Sequence, residues 1–428
     1  MENKGWLSLF RYQPDVYEYA FSPVPADRRR GAASLFMGVA GYTMALSCFI
    51  IGGKIGYALP FWEAVGACAL GDAVLLCVGI AMGLIACESG WSTAFLSRRI
   101  FGRRGSLIFS ICIIILSIHW VGVNGDALAR MIITLFPASP LPIPVVSMLA
   151  VLLWAFTSAY GWRGFELLCW IAVPLVSLLI VTGGWEFLEA EGGLDFIDSY
   201  VPSGALTFSS AAAVTTGSYI FGCTISPDMF RFASSKRNVV IAAIPAYVLS
   251  FFAFNVIGIV MAQAGDSYFL SVSAAKLGQS YRFFAIALFC LWTTEHYNIY
   301  AGSLAMQNIF QGSAVEGNLS HRMGTCVIGG FAAAYASFGA LDFIMPVLSL
   351  ISVFIPPVAG MLAAEYFVVR RGNEKEEINP VSFAAWGIGA LAGVMALRGG
   401  FLIPPVVSIV ASAIAYILLS ALRRAKKK

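Results

Sequence analysis

Residues 41–56, GYTMALSCFIIGGKIG, and residues 217–232, GSYIFGCTISPDMFRF, decide how this chain is read. Each stretch interrupts a long apolar run with glycines and small hydroxyl side chains, and the second adds Pro227. Proline lacks the N–H that a helix interior needs, so a helix carrying it in mid-run is expected to open. The second run comes five runs after the first, the offset of two five-helix repeats in inverted orientation. Helices opened at corresponding positions leave half-helix ends near the bilayer midplane, where substrate and ion sites form. Ordinary glycine packing between membrane helices is the alternative, and Gly52 and Gly53 also suit it.

The runs themselves set the class. Apolar residues make up 59% of the 428 positions and charged residues 12%, against roughly 25% charged in a soluble domain, so no soluble surface is available. Most runs approach the ~20 residues that cross ~30 Å of hydrocarbon as a helix, without a polar face at helical spacing. Twelve spans are expected, near 31–52, 60–86, 105–135, 142–161, 165–184, 207–231, 238–263, 282–304, 323–341, 343–369, 380–398 and 401–422. The fold class is therefore all-α, a polytopic bundle of twelve transmembrane helices with helices 1 and 6 broken. The first 30 residues lack the apolar core of a cleavable signal, so the first span should serve as an uncleaved one. With the amino terminus inside, all but five of the 27 Lys and Arg fall on inside segments; the exceptions are Lys54, Arg130, Lys276, Arg282 and Arg398. That asymmetry puts both termini in the cytoplasm and the acidic stretch Glu186–Asp198 outside. It also accounts for the net charge of +4, and no nucleic-acid partner is expected. The nine cysteines show no CxxC spacing and are read as small packing residues.

Chemistry concentrates in three spans. Span 8 contains LWTTEHYNIYAG (291–302), with polar or amphipathic side chains from Thr293 to Asn298 in an otherwise apolar helix. A charged carboxylate near the bilayer centre costs several kcal/mol, so Glu295 must face the protein interior or an aqueous cavity. Thr293 and Thr294 offer two hydroxyls to a hard cation, although membrane threonines commonly bond back to their own helix. Span 3 holds Ser117, His119, Trp120, Asn124, Asp126 and Arg130. Trp120 lies away from the interfacial belt where tryptophan is usual, and its indole can stack on a flat ring. Asn124 is one turn along on the same face. Asp126 and Arg130 read as a structural ion pair, and His119 as a buried, satisfied histidine. Tyr219 and Phe221 stand at the expected break of span 6, opposite Trp120. Asp228 and Arg231 read as gate or anchor residues at its cytoplasmic end, and Lys54 as a side chain that snorkels outward.

With these motifs in order, the chain resembles the nucleobase–cation symporter-1 family, and within it the bacterial cytosine permeases. The resemblance rests on residues 41–56, ESGWSTAFLSRRIFGRRGS (88–106), HWVGVN (119–124), residues 217–232, LWTTEHYNIYAGSLAMQNI (291–309) and ISVFIPPVAGMLAAEYFVVRRG (351–372). It implies the leucine-transporter fold. An amino-terminal segment 1–30 would precede a ten-helix core 31–370, made of repeats 31–184 and 207–370. Residues 371–428 would then form two extra helices and a basic tail. It implies a sodium site built from the carbonyls of Gly41, Met44 and Cys290 and the hydroxyls of Thr293 and Thr294. It implies an aromatic sandwich of Trp120 and Tyr219, with Ser117, Asn124, Ser218 and Glu295 reading the ring edge. The chain departs from cytosine permeases at Ser117, where they resemble one another in having Gln, at Phe221 (Ser), and at Glu295–His296 (Asn–Asp). A carboxylate accepts only, so Glu295 favours a ligand with paired N–H donors, unless it is protonated.

The expected function is cation-coupled uptake, through a bacterial inner membrane, of a small planar nitrogen heterocycle such as cytosine. Sodium, or a proton in its place, is the coupling ion, and no organic cofactor is expected. The expected partners are the heterocycle and membrane lipid, with the chain a monomer. Alternative cargoes are hydroxymethylpyrimidine, hydantoin or allantoin, and creatinine-like rings. The rivals are a non-transporting sensor of the same fold and a membrane enzyme. The enzyme is disfavoured because His119, His296 and His321 are dispersed, without zinc or serine-hydrolase spacing.

Overall fold

The protein is described by a computed structural model covering residues 17–190, 199–202, 204, 206–313, 319–370, 376–400 and 402–427. Most of the acidic stretch, the 371–375 loop and the first half of the amino-terminal segment lie outside the described residues. Among the described residues there is no β-sheet, only an isolated bridge between Arg30 and Ala233. All twelve expected spans are helical. They are Ala32–Thr43 with Leu46–Ala58 (span 1), Phe61–Ser89 (2), Ser106–Leu135 (3), Ile143–Ser158 (4), Gly161–Ala190 (5) and Phe208–Ile225 with Pro227–Phe230 (6). Span 7 runs Lys236–Tyr247 and Ala253–Ala264 through a π turn, followed by Ser280–Phe310 (8) and His321–Ser337 (9). Span 10 joins Ile344–Phe354, Pro356–Ala364 and a π turn, and Pro380–Gly399 (11) and Pro404–Lys427 (12) complete the set. Seven helices are individually long and apolar enough to cross a membrane, and the bent pair of span 1 makes an eighth. Span 8 is not among them, because its polar centre lowers its hydropathy.

The two halves of span 1 meet at 55°, and the break has a specific cause. Met44, at φ −68° and ψ 61°, is the centre of an inverse γ-turn, in which the Ala45 N–H donates to the Thr43 carbonyl at 2.7 Å. The helix reopens at Leu46 with Ala45 extended. The glycines are not the hinge. A Cβ on Gly41 would lie 2.4 Å from Cys169 Sγ of span 5, one on Gly52 2.1 Å from the Asn255 carbonyl oxygen, and one on Gly56 2.6 Å from Ile259 Cα. Gly258 of span 7 answers, 2.3 Å from the Phe49 carbonyl oxygen by the same measure. Gly52, Gly56 and Gly258 let the backbones of spans 1 and 7 touch, the packing use of small residues.

Gly52→Ala is accordingly expected to destabilise the bundle by about 1–3 kcal/mol, the usual cost of overpacking. Gly330→Ala, where nothing lies within 4 Å, should be silent. Thermal unfolding of both variants in detergent checks this; equal melting temperatures would show that the contact is not tight.

Span 6 is interrupted one turn later than the sequence suggests. Tyr219 and Phe221 sit within the continuous helix Phe208–Ile225, and the interruption falls at Ser226. Pro227 removes the N–H owed to the preceding turn, and Ser226 N–H reaches Cys223 instead, at 3.4 Å. The carbonyl of Ile225 accepts from Thr93 Oγ1 and from Tyr297 Oη, each at 3.0 Å.

Candidate functional site

A cavity opens where span 1 breaks, with about 400 Å³ of space unfilled by atoms, part of it open to the surroundings. Span 1 contributes Tyr42, Ala45, Leu46 and Ser47, the last two from the first turn of its second half. Span 3 contributes Trp120 and Asn124, span 6 Ser218, Tyr219, Phe221 and Gly222, and span 8 Leu291, Thr294, Glu295 and Asn298.

Glu295 is fully buried, and its carboxylate is held by two amides. Asn124 Nδ2 donates to Oε1 at 2.5 Å, and Asn298 Nδ2 donates to Oε2 at 3.0 Å. Among the described residues it has no ion-pair partner. A carboxylate has about four lone-pair sites, so two remain for a guest. The break of span 1 frees the Tyr42 carbonyl, which accepts from the Tyr219 hydroxyl and, at 3.1 Å, from Thr294 Oγ1. The hydroxyl of Thr293 bonds back to its own helix, to the carbonyls of Phe289 and Cys290, both at 3.1 Å. Span 8 thus caps both breaks from one face, Thr294 at Tyr42 and Tyr297, three residues on, at Ile225.

Of the residues singled out in the sequence, Trp120, Asn124, Ser218, Tyr219, Phe221, Glu295 and Thr294 line the cavity. Ser117 does not. It is buried without a hydrogen-bond partner and packs against Gly302, where an added Cβ would lie 3.0 Å from its own. One turn below Trp120, it faces the neighbouring helix rather than the opening. Ser218 lines the wall while its hydroxyl donates to the Thr215 carbonyl at 2.8 Å. Gly41, Met44, Cys290 and Thr293 surround the break without lining the cavity. All their offered atoms are neutral oxygens, a set that suits a hard monovalent cation. Among the described residues no group of His, Cys, Asp and Glu could hold a metal.

The remaining polar groups are structural. Arg130 forks onto Asp126 at 3.0 and 3.2 Å, and His119 Nδ1 pairs with the Tyr335 hydroxyl at 3.2 Å. His296 points to the Gly161 carbonyl of span 5, away from the cavity. Lys54 is exposed. Tyr42, Ser47 and Asn298 are wall residues beyond those expected from the sequence. Asn298 had a signal, since it lies three residues from Glu295 within one polar stretch.

The family model for permeases of cytosine/purines, uracil, thiamine and allantoin matches residues 23–419. The chain belongs to this permease family. Cytosine permease of Escherichia coli strain K12 is 27% identical over 410 residues, covering 94% of each chain, and that of Escherichia coli O157:H7 is equally similar. Among solved structures, Mhp1, a nucleobase–cation-symport-1 family transporter in a closed conformation with bromovinylhydantoin bound, superposes with a TM-score of 0.79 at 18% identity, covering 96% of each chain. The inward-facing conformation of Mhp1 gives 0.75, covering 94% and 93%. A Na⁺-coupled sialic acid symporter in an outward-open state gives 0.65 at 14% identity, covering 92% and 90%. The permease is thus a multi-pass membrane transporter with the leucine-transporter fold, as its broken first span and the resemblance imply, and not an enzyme.

Proposed function

We propose that the permease drives uptake of a small planar nitrogen heterocycle with the sodium gradient, by alternating access, and that the guest is one whose edge carries paired N–H donors. The observation that carries this reading is the Glu295 carboxylate, amide-held in a cavity walled by Trp120 and Tyr219. A ring stacked on Trp120, with Tyr219 opposite, gains roughly 0.5–1.5 kcal/mol beyond its burial. Its edge meets Glu295 and Asn124, with Ser218 and Phe221 closing the span 6 side. A cyclic amidinium or guanidinium edge supplies both donors, whereas cytosine sets its amino N–H beside the acceptor N3 and pairs at two points only with a proton on N3 or on Glu295. Ser117 belongs to the support of span 8 in this scheme.

The sodium ligands proposed are the carbonyls of Gly41, Met44 and Cys290 with the hydroxyls of Thr293 and Thr294. The Thr294–Tyr42 contact already joins spans 1 and 8 there. When bound, the ion draws the oxygens of the two spans together and favours the substrate-ready state. The basic loops support a bacterial inner membrane with both termini in the cytoplasm; the repeats 31–184 and 207–370 are the moving parts of one monomer in this proposal. A proton on Glu295 in place of sodium is a second reading, favoured by the absence of a cationic partner among the described residues.

Radiolabelled cytosine and a panel of hydroxymethylpyrimidine, hydantoin and creatinine, offered to proteoliposomes with and without an imposed Na⁺ gradient, test both readings. Accumulation is expected only with the gradient. Thr294→Ala should raise the sodium concentration needed by about tenfold, the effect of ~1.4 kcal/mol lost from one ligand. Uptake indifferent to sodium in both proteins would remove the sodium assignment.

A further inference from the structure

A second carboxylate is buried in the bundle, away from the cavity. Asp72 lies mid-way along span 2 and is 7% exposed. Its two oxygens share one donor, Asn255 Nδ2 of span 7, at 3.2 and 3.0 Å. Asn255 is itself 1% exposed, and its Oδ1 is buried with no hydrogen-bond partner. The two carboxylate oxygens therefore share one amide NH₂, and the oxygen of that same amide has no donor. The titratable groups that feel Asp72 from the packed elements are thiols: Cys48 of span 1, Cys68 of span 2 and Cys223 of span 6. Among the described residues no Lys, Arg or His pairs with it. A thiol supplies a weak donor and no positive charge, so nothing on these elements offsets a negative carboxylate.

One proton corrects the imbalance. A neutral carboxyl and a primary amide form a cyclic pair in which the amide N–H donates to the carboxyl C=O and the carboxyl O–H donates to the amide oxygen. A rotation of Asn255 about its last torsion, a soft one, makes that pair from the observed contact and satisfies Oδ1. The ionised form leaves Oδ1 orphaned and the charge uncompensated, both costly in a low-dielectric interior.

We propose that the Asp72–Asn255 pair is a proton-binding site of the permease, separate from the substrate cavity, which exchanges its proton with water as spans 1, 2, 6 and 7 shift during transport. The proton enters from water onto a carboxylate oxygen of Asp72 and leaves to water, and no other bond changes. The location suits coupling. The Asn255 backbone is the surface against which Gly52 of span 1 packs, and Thr216 of span 6 donates to the Gly71 carbonyl next to Asp72 at 3.4 Å. Movement of either broken span must disturb the pair. The inference needs only that the chain is a transporter, and holds whether sodium or a particular ring is also bound.

Infrared difference spectroscopy of the full chain in lipid reads the site without any substrate. A protonated-carboxyl C=O band is expected in the wild type, lost in Asp72→Asn, and kept in Glu295→Gln. Asn255→Leu should keep the band and move it to higher frequency, because the acid loses its partner; this variant serves if Asp72→Asn fails to fold. A wild type without the band near neutral pH, or a band untouched by both Asp72→Asn and Asn255→Leu, overturns the site. For exchange, proteoliposomes holding a pH-sensitive dye are given cytosine. Proton movement should accompany cytosine in the wild type and fall at least tenfold in Asp72→Asn, whereas cytosine transport with no proton movement in the wild type overturns the coupling. Should cytosine not be carried, only the cytosine assignment fails; the dye assay is then run with the ring of the panel that is carried, and the infrared result decides the site independently.

Discussion

Glu295→Gln is expected to weaken binding of the heterocycle by about a hundredfold while leaving the fold intact. The carboxylate receives one amide from Asn124 and another from Asn298. A glutamine there presents one oxygen and one NH₂, so its NH₂ must face the NH₂ of one asparagine, donor against donor. The guest also loses an acceptor of charge-assisted hydrogen bonds, each worth roughly 1.5–3 kcal/mol; a loss near ~2.7 kcal/mol is about a hundredfold. Equilibrium binding of radiolabelled ligand, alongside a melting curve, measures the two effects separately. A variant that melts normally and binds as tightly as the wild type would mean that Glu295 acts as a neutral acid, which glutamine mimics, and would end its role as an acceptor of N–H donors.

The second large effect is expected at the other end of span 6. Arg231 is completely buried and ties the amino-terminal segment to the bundle. Its guanidinium donates to the carbonyls of Glu18 at 2.8 Å, Tyr19 at 3.0 Å and Asp228 at 3.2 Å, and to the Tyr300 hydroxyl at 2.6 Å. Tyr300 in turn donates to Glu18 Oε2 at 3.3 Å, which also accepts the Trp162 N–H at 3.3 Å. The latch joins spans 5, 6 and 8 beneath the cavity, on the side we assign to the cytoplasm. Removing one member of a buried charged network typically costs 3–5 kcal/mol. An opening of the latch by even ~1.4 kcal/mol shifts the balance of inward- and outward-facing states tenfold.

Arg231→Ala should therefore cut sodium-driven accumulation more than tenfold and lower the melting temperature. Tyr300→Phe, which removes only the bridging hydroxyl, should fall between it and the wild type. Accumulation and melting both unchanged in Arg231→Ala would show that the amino-terminal segment does not hold this side shut.

Several features were legible before any coordinates. The twelve spans follow from apolar runs whose length is set by the bilayer, and every one is helical. The polar stretch Thr293–Asn298 marked the site because an ionisable group in a membrane helix must find partners inside the protein. The Asp126–Arg130 pair followed from i, i+4 spacing on one helix. Other readings were displaced for physical reasons. Glycine marks the break in span 1 by composition, yet Gly41, Gly52 and Gly56 are contact points. The break at Met44 is an inverse γ-turn that residues without special backbone freedom can adopt. In span 6 the proline acts on the turn before it, which leaves Tyr219 and Phe221 on intact helix. Ser117 shares a face with Trp120 and Asn124 by helical spacing, but the approach of Gly302 closes that end of the face.

By itself, the sequence determined the class of molecule, the twelve apolar runs that are helical and three of the helices whose side chains line the cavity, because hydrophobic length and the cost of burying a charge depend only on local composition. Which atoms meet was settled in three dimensions. The freed carbonyls of Tyr42 and Ile225 are both capped from one face of span 8, and Asn255 of span 7 reaches Asp72 of span 2 across 183 positions of chain. No pattern of spacing encodes such pairings, since they exist only once the helices have packed.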